Sequence, residues 1–198
     1  MIRAELKNSA LIFLFFMEKK NGNWTIKGTK QIFENDFFNV FEDDVIQPDG
    51  KKGTYATIKM PPGVCILPID DEDFVYLTKQ FRYSAGGETL EVAAGSVEDE
   101  SALEAAKREL KEELGIKAEE LEEIGKIELD NSIIKNEVTI FTARGLSFEK
   151  PDRDSSEEME IVKIKFSEAI EKIYNGEISH SLSCVLLLKA WVKNKKLI

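Results

Sequence analysis

Between Asn23 and Met60 the strand-forming residues come in short runs, Trp24-Thr25-Ile26, Gln31-Ile32-Phe33 and Phe37 to Val45, separated by polar turn residues. Pro48-Asp49-Gly50 is a turn with a mechanism, because proline presets one φ and glycine accepts a positive one. It predicts a hairpin joining Phe37–Val45 to Thr54–Met60. Val64–Ile69 and Phe74–Phe81 flank the acidic turn Asp70 to Asp73 and predict a second antiparallel pair. After the Gly86-Gly87 break, Thr89 to Ala93 gives another short strand.

At Ser101 the period changes from two to 3.6. Leu103, Ala106, Leu110 and Leu114 follow at spacings of three, four and four, one stripe of a helix at about 100° per residue. Ser101 and Glu104 form a capping-box pair at its start, and Gly115 supplies the stop. Strands are predicted again at Ile124–Leu129, Glu137–Ala143 and Met159–Phe166, then helices near Ser167–Tyr174 and Ser181–Lys193, with Asn175-Gly176 between them. The longest stretch without a pattern runs from Ser147 to Glu158, a length at which loops are often functional.

Composition narrows the class. At about 150 residues per domain, 198 residues make one full domain plus some 50 residues, or one generous domain with an arm, and 42% apolar against 32% charged residues suffices for a core and excludes a wholly disordered chain. Twenty-seven basic against 37 acidic residues, a net charge of −10, excludes a general basic surface, so no nucleic-acid partner is expected. A small polyanionic ligand would need a local basic site or a metal. The greasy run Ala10 to Met17 is far shorter than the roughly 20 residues of a spanning helix. Glu18-Lys19-Lys20 stands where a leader would need small residues, so a buried or interface strand is expected, and no membrane association. Cys65 and Cys184 sit in apolar runs far apart, which predicts reduced, buried thiols and a cytoplasmic protein. His180 is the single histidine and is expected as an exposed helix-start residue, which leaves histidine-based metal sites and a serine-histidine triad almost nothing to use. Trp24 is expected in core or interface packing.

The chemistry concentrates on the Ser101 helix. Glu109, Glu112 and Glu113 stand at i, i+3 and i+4, on a face roughly opposite the apolar stripe. Like charges at this spacing repel and raise one another's pKa values unless something positive intervenes. A divalent cation is one remedy, and oxygen-only ligands with spare positions suit Mg²⁺ or Mn²⁺. A solvated acidic face is the other reading of three glutamates alone. Arg108 can brace the group by pairing with Glu112 one turn on or Glu104 one turn back.

The surroundings decide between them. Gly95-Ser96-Val97-Glu98-Asp99-Glu100, followed by Arg108-Glu109-Leu110-Lys111-Glu112-Glu113-Leu114-Gly115-Ile116, resembles the Nudix box, a glycine-led loop feeding a helix. The loop between Gly95 and Glu100 is one residue shorter than the family's usual spacing. Glu91-Val92-Ala93-Ala94-Gly95 resembles the strand end Glu-x-x-Ala-Gly of one Nudix branch. Val45 to Gly50, Pro61 to Val64, Gln80-Phe81-Arg82 and Gly176-Glu177-Ile178 are similar to that same branch, which hydrolyses ADP-ribose and other nucleoside diphosphate sugars.

The resemblance implies an α/β fold, a Nudix-type α/β/α sandwich around a mixed β-sheet, with an N-terminal β-rich arm. The arm is expected over residues 1–55, pairing with a second subunit in a homodimer, and the hydrolase domain over 56–198. It implies that Glu109, Glu112 and Glu113 ligate Mg²⁺ or Mn²⁺, helped by the backbone carbonyl of Ala94. Gly95, Glu100 and Arg108 support them. Arg82 matches an arginine near the substrate diphosphate or sugar, and Glu91 orients Arg82 or the sugar. Glu157 or Glu158 is the implied general base. The expected reaction is metal-dependent hydrolysis of a small nucleoside diphosphate derivative, with ADP-ribose to AMP and ribose 5-phosphate leading. Asn131 and Ser132 stand where the ADP-ribose group often carries a proline, so another nucleotide sugar of the GDP-mannose type, or a dinucleotide, stays open. A non-catalytic nucleotide sensor is the alternative of another class.

Overall fold

The computed structural model describes residues 18–152 and 159–195. In chain order the first elements are β1 (Lys19–Asn21), β2 (Trp24–Glu34), β3 (Asn39–Ile46), β4 (Lys52–Lys59), β5 (Gly63–Pro68), β6 (Phe74–Arg82), β7 (Gly87–Glu91) and β8 (Ala93–Ser96). They are followed by α1 (Ala102–Leu114), β9 (Ile116–Ile127), β10 (Ile134–Lys135), β11 (Val138–Phe148), β12 (Met159–Lys165), α2 (Phe166–Tyr174) and α3 (Ser181–Asn194). The expected strand at Ala10–Met17 lies outside the described residues, as do Glu157 and Glu158.

The chain divides into two units. The first holds the described residues up to Met60 together with Ser132–Lys135. Its sheet runs β1-β2-β3-β4-β10. The predicted hairpin is present, with Asn39 opposite Lys59 and Ile46 opposite Lys52, and Gly50 takes the positive φ that its turn requires. The two short runs expected before it are instead one strand, β2. Register shifts between Ile26 and Gly28 and between Gln31 and Phe33 absorb the polar interruptions without ending the ladder.

The second unit holds Pro61–Asn131 and the described residues from Asn136 onward. A four-stranded mixed sheet, β8-β5-β11-β9, carries a parallel β5–β11 pair at its centre, and a three-stranded antiparallel sheet runs β12-β6-β7. Side chains of β5 are buried on both faces. Val64 and Ile66 join Ala105, Ala106, Leu110 and Leu114 of α1, while Cys65 and Leu67 join Phe166 of α2 and Leu186 and Leu187 of α3. Helices therefore cover the sheet from both sides, the expected α/β/α arrangement, and each buried leucine contributes about 1.5–3 kcal/mol through removal from water.

Four expectations fail here for physical reasons. Val64–Ile69 and Phe74–Phe81 do not pair as a hairpin. A strand buried on both faces takes its partners from the sheet centre, and between these two only the bridge Ile69–Val75 forms among the described residues. Asp70 closes the intervening turn by accepting from the backbone N–H groups of Glu72 and Phe74. Thr89–Ala93 is split at Val92, whose N–H donates to Ser183 Oγ instead of to a strand, so β7 and β8 belong to different sheets. On α1, Leu103 is 41% exposed and Ala105 replaces it in the core, because small side chains let the helix approach the sheet closely. Strand β9 starts directly after the helix at Ile116, well ahead of the expected Ile124, since the charged run Lys117–Glu123 masks its alternation.

Candidate active site

Helix α1 is set at both ends. Ser101 Oγ accepts from the Glu104 N–H at 3.2 Å while the Ser101 N–H donates to Glu104 Oε2 at 3.0 Å, the reciprocal capping box. Gly115 closes the other end at φ 62°, where a Cβ would collide with the backbone of Glu149 and Pro151. With Glu104 engaged at the cap, Arg108 pairs with Glu112 rather than with Glu104.

Arg108 is the hub of the box. Its Nε and Nη2 donate to Glu100 Oε1 at 2.9 and 2.8 Å, and Nη2 also reaches the Ser96 carbonyl at 3.0 Å. Nη1 donates to Glu109 Oε1 at 2.7 Å and Glu112 Oε2 at 3.1 Å. One guanidinium thus ties the short loop to the helix and brings two of the three carboxylates to a single cation. Partial burial works against the charge on Arg108, but the hydrogen bonds it donates to Glu100 and Glu109 hold its pKa above the ordinary value. Gly95 lies beneath Glu109, and a Cβ there would overlap that carboxylate. Glu113 Oε2 accepts from the Ala94 N–H at 3.3 Å. The structure therefore gathers Gly95, Glu100, Arg108, Glu109 and Glu112 directly, and sets Glu113 against Ala94.

These residues fit a hard divalent cation by their donor chemistry: the carboxylates offer oxygen only, and Glu109 lies over Gly95, where there is no side chain. Among the described residues no group of three or more acidic, histidine or cysteine side chains is placed so that it could hold a metal ion by itself. Mg²⁺ is commonly held by one or two carboxylates with water and substrate oxygens completing the shell, so an open set suits it better than a cage.

Arg82 and Glu91 form a second constellation. In the β6–β7 ladder Arg82 stands opposite Gly87, Gln80 opposite Thr89 and Thr78 opposite Glu91, so Arg82 reaches along one face toward Glu91. Its Nε donates to Glu91 Oε1 at 3.0 Å and its Nη2 to Oε2 at 2.7 Å, a bidentate pair, and Thr89 Oγ1 donates to Oε1 at 2.6 Å. The Glu91 side chain is 3% exposed, against 44% for Arg82. Burial raises the Glu91 pKa, but the hydrogen bonds from Arg82 and Thr89 and the nearby positive charge outweigh it and hold the carboxyl below its usual range.

His180 departs from expectation. It is the N-cap residue of α3 and its side chain is 29% exposed, with Nδ1 2.8 Å from Ser183 Oγ and 3.5 Å from Glu91 Oε2. Burial lowers its pKa; the Glu91 charge opposes this and Arg82 reinforces it. Thr89, His180 and Ser183 were not legible as site residues. The available signals were a serine inside an apolar helical run and a histidine three residues before it.

A cavity of about 560 Å³ opens on the other side of α1, lined by Arg108, Lys111, Glu112, Lys117, Leu121 and Asp152 among others. Glu109, Glu113, Arg82 and Glu91 are not in its lining, so of the site residues the cavity meets Arg108 and Glu112. Cys65 and Cys184 are free thiols; Cys65 is buried, which pushes its pKa up to about 12, and Cys184 is partly buried. Among the described residues no helix is long and apolar enough to cross a membrane.

A capped helix presenting carboxylates over a glycine-led loop, in an α/β/α sandwich, defines the class: the chain matches the NUDIX domain over residues 59–180 and belongs to the Nudix family as one of its hydrolases. Residues 24–58 match the nucleoside diphosphate sugar hydrolase N-terminal domain. Among relatives, the ADP-ribose pyrophosphatase of Bacillus subtilis (strain 168) is 30% identical over 152 residues, covering 75% of this chain and 82% of the relative. The ADP compounds hydrolase NudE of Escherichia coli (strain K12) is 25% identical over 186 residues, covering 90% and 98%. A crystal structure of an ADP compounds hydrolase shares the fold with a TM-score of 0.79 at 24% identity, covering 91% of this chain and all of that one.

Proposed function

We propose that this enzyme hydrolyses the diphosphate of a nucleoside diphosphate sugar, ADP-ribose first, releasing AMP and ribose 5-phosphate. The observation that carries the reading is the gathering of Glu109 and Glu112 on one Arg108 nitrogen, with Glu109 lying over Gly95. The name of the Bacillus subtilis relative supports the choice of substrate.

In this reading Glu109, Glu112, Glu113 and the Ala94 carbonyl hold Mg²⁺ or Mn²⁺. When bound, the ion neutralises the diphosphate and supplies Lewis acidity. Arg108 keeps the carboxylates apart from solvent disorder and in register with the loop. Arg82, braced by Glu91, meets the diphosphate or sugar. A water oxygen bonds to one phosphorus, the bridging oxygen leaves with the other phosphate, and the water's proton passes to Glu157 or Glu158. The arm pairs two copies in a homodimer, supported by the exposed Ile32, Phe33 and Phe37 near the β2–β3 turn. Two free thiols support a cytoplasmic setting.

The test is phosphate release, through a coupled phosphatase, from a panel of nucleoside diphosphate sugars and dinucleotides with and without Mg²⁺ or Mn²⁺. Metal-dependent release that is strongest with ADP-ribose is expected. Negligible release throughout, with a ligand still protecting the protein against melting, would replace hydrolysis by nucleotide sensing.

A further inference from the structure

A carboxylate offers about four acceptor positions, and at Glu91 each has a neighbour: Arg82 Nε and Thr89 Oγ1 at Oε1, Arg82 Nη2 and the His180 ring at Oε2. Three of these come from β6 and β7 themselves. The fourth arrives from α3, an element remote in sequence. Ser183, fully buried on the first turn of that helix, accepts the Val92 N–H at 3.0 Å and so pins α3 to the residue next to Glu91. It also stands 2.8 Å from His180 Nδ1.

The chemistry of the neighbours fixes the tautomer. A bare Nδ1 lone pair would face the Glu91 oxygen at 3.5 Å, an unfavourable pairing, whereas an Nδ1–H points its positive end at both Glu91 Oε2 and Ser183 Oγ. The charged groups that face the ring are Glu91 from β7 and Arg82 from β6.

We propose that His180 is a positioning residue for Arg82: its Nδ1–H, held by Ser183 at the start of α3, fixes the buried Glu91 carboxylate and through it the guanidinium that meets the substrate. This rests on the hydrolase reading above. The imidazole's neighbours are Ser183 and Glu91, neither of them a metal ligand in that reading. Without it, Oε2 loses its fourth neighbour and the Arg82–Glu91 fork is free to tilt toward Thr89, so ground-state and transition-state binding weaken together.

Steady-state kinetics of the full chain on ADP-ribose with Mg²⁺ separate this role from a structural one. His180→Phe keeps a ring without the N–H, and KM should rise about tenfold with kcat held within about twofold, the mark of lost uniform binding. His180→Asn places an amide N–H near the Nδ1 position and should return KM to within about twofold of the parent. In the double variant with Arg82→Ala, His180→Phe should add nothing, because one residue acts through the other. If His180→Phe does not fold, His180→Ala carries the same expectation. An unchanged KM, failure of Asn to rescue, or independent multiplication of the two effects would overturn the positioning role while leaving the hydrolase reading intact. Absence of turnover by the parent on every substrate of the panel would overturn both.

Discussion

Glu112 and Glu91 are both glutamates paired with arginine, yet they sit in opposite surroundings. Glu112 is 40% exposed and shares one Arg108 nitrogen with Glu109. Glu91 is 3% exposed, held bidentately by Arg82 and further tied by Thr89. An exposed carboxylate on a shared donor exchanges partners at little cost, because solvent screens what it loses. A buried carboxylate with every acceptor position occupied does not exchange, because an unpaired buried charge is expensive. The difference teaches that Glu112 sits where a partner can be exchanged, as the proposed role of the box requires, whereas Glu91 is committed to its arginine.

The sharpest way to break this comparison is Glu112→Gln. Turnover should fall by about a hundredfold or more, a loss typical of removing a group that acts in the transition state, while the melting temperature stays near that of the parent. Equal turnover would place Glu112 outside the chemistry. Next comes Glu91→Gln, which removes the charge but keeps the shape. It should lower unfolding free energy in urea by about 1–3 kcal/mol, the range for a charged hydrogen bond, and a change below about half of that would mean Glu91 is not committed to Arg82.

Acid should act through the same buried group. The folded-state pKa of Glu91 lies below its ordinary 4.5, so its contribution to stability is full above that value and is lost as pH falls through the folded pKa. The folded-state pKa of His180 lies below 6.5; the unfolded chain binds that proton first, so stability also declines as pH drops below 6.5. Chemical denaturation between neutral and acid pH should show both slopes, and Glu91→Gln should flatten the lower one. The smallest effect sharpens the reading of α1: Leu103→Ala, at an exposed site, should change stability by less than about 0.5 kcal/mol. A loss of the size seen for core leucines would mean that Leu103 is covered.

What could be read from the sequence follows from the range of the interactions. Helix α1 was legible to the residue, since Ser101, Glu104 and Gly115 are local signals with local consequences. Its carboxylate face was legible because three glutamates at helical spacing need only the helix to bring them together. Pairings of β5 and β6 were not, because a strand's partner is chosen by the whole core, and the acidic turn at Asp70 to Asp73 serves a hairpin or a change of sheet equally well. Leu103 was misplaced because periodicity marks a face about 100° wide, and packing against the sheet favoured Ala105 within it. The Glu91–His180 contact joins elements that meet only in the finished fold, and a lone histidine beside a helix start gives no hint of the carboxylate it will face.

Val92 is where the polypeptide leaves one sheet and enters another, and its amide is moored to α3 instead of to a neighbouring strand. From Glu91 to Ala94 the extended backbone covers only about 10 Å, with no turn to absorb movement. The same short segment thus carries the partner of Arg82 at one end and, at the other, the Ala94 peptide N–H that donates to Glu113, so a substitution that shifts its backbone disturbs both contacts at once.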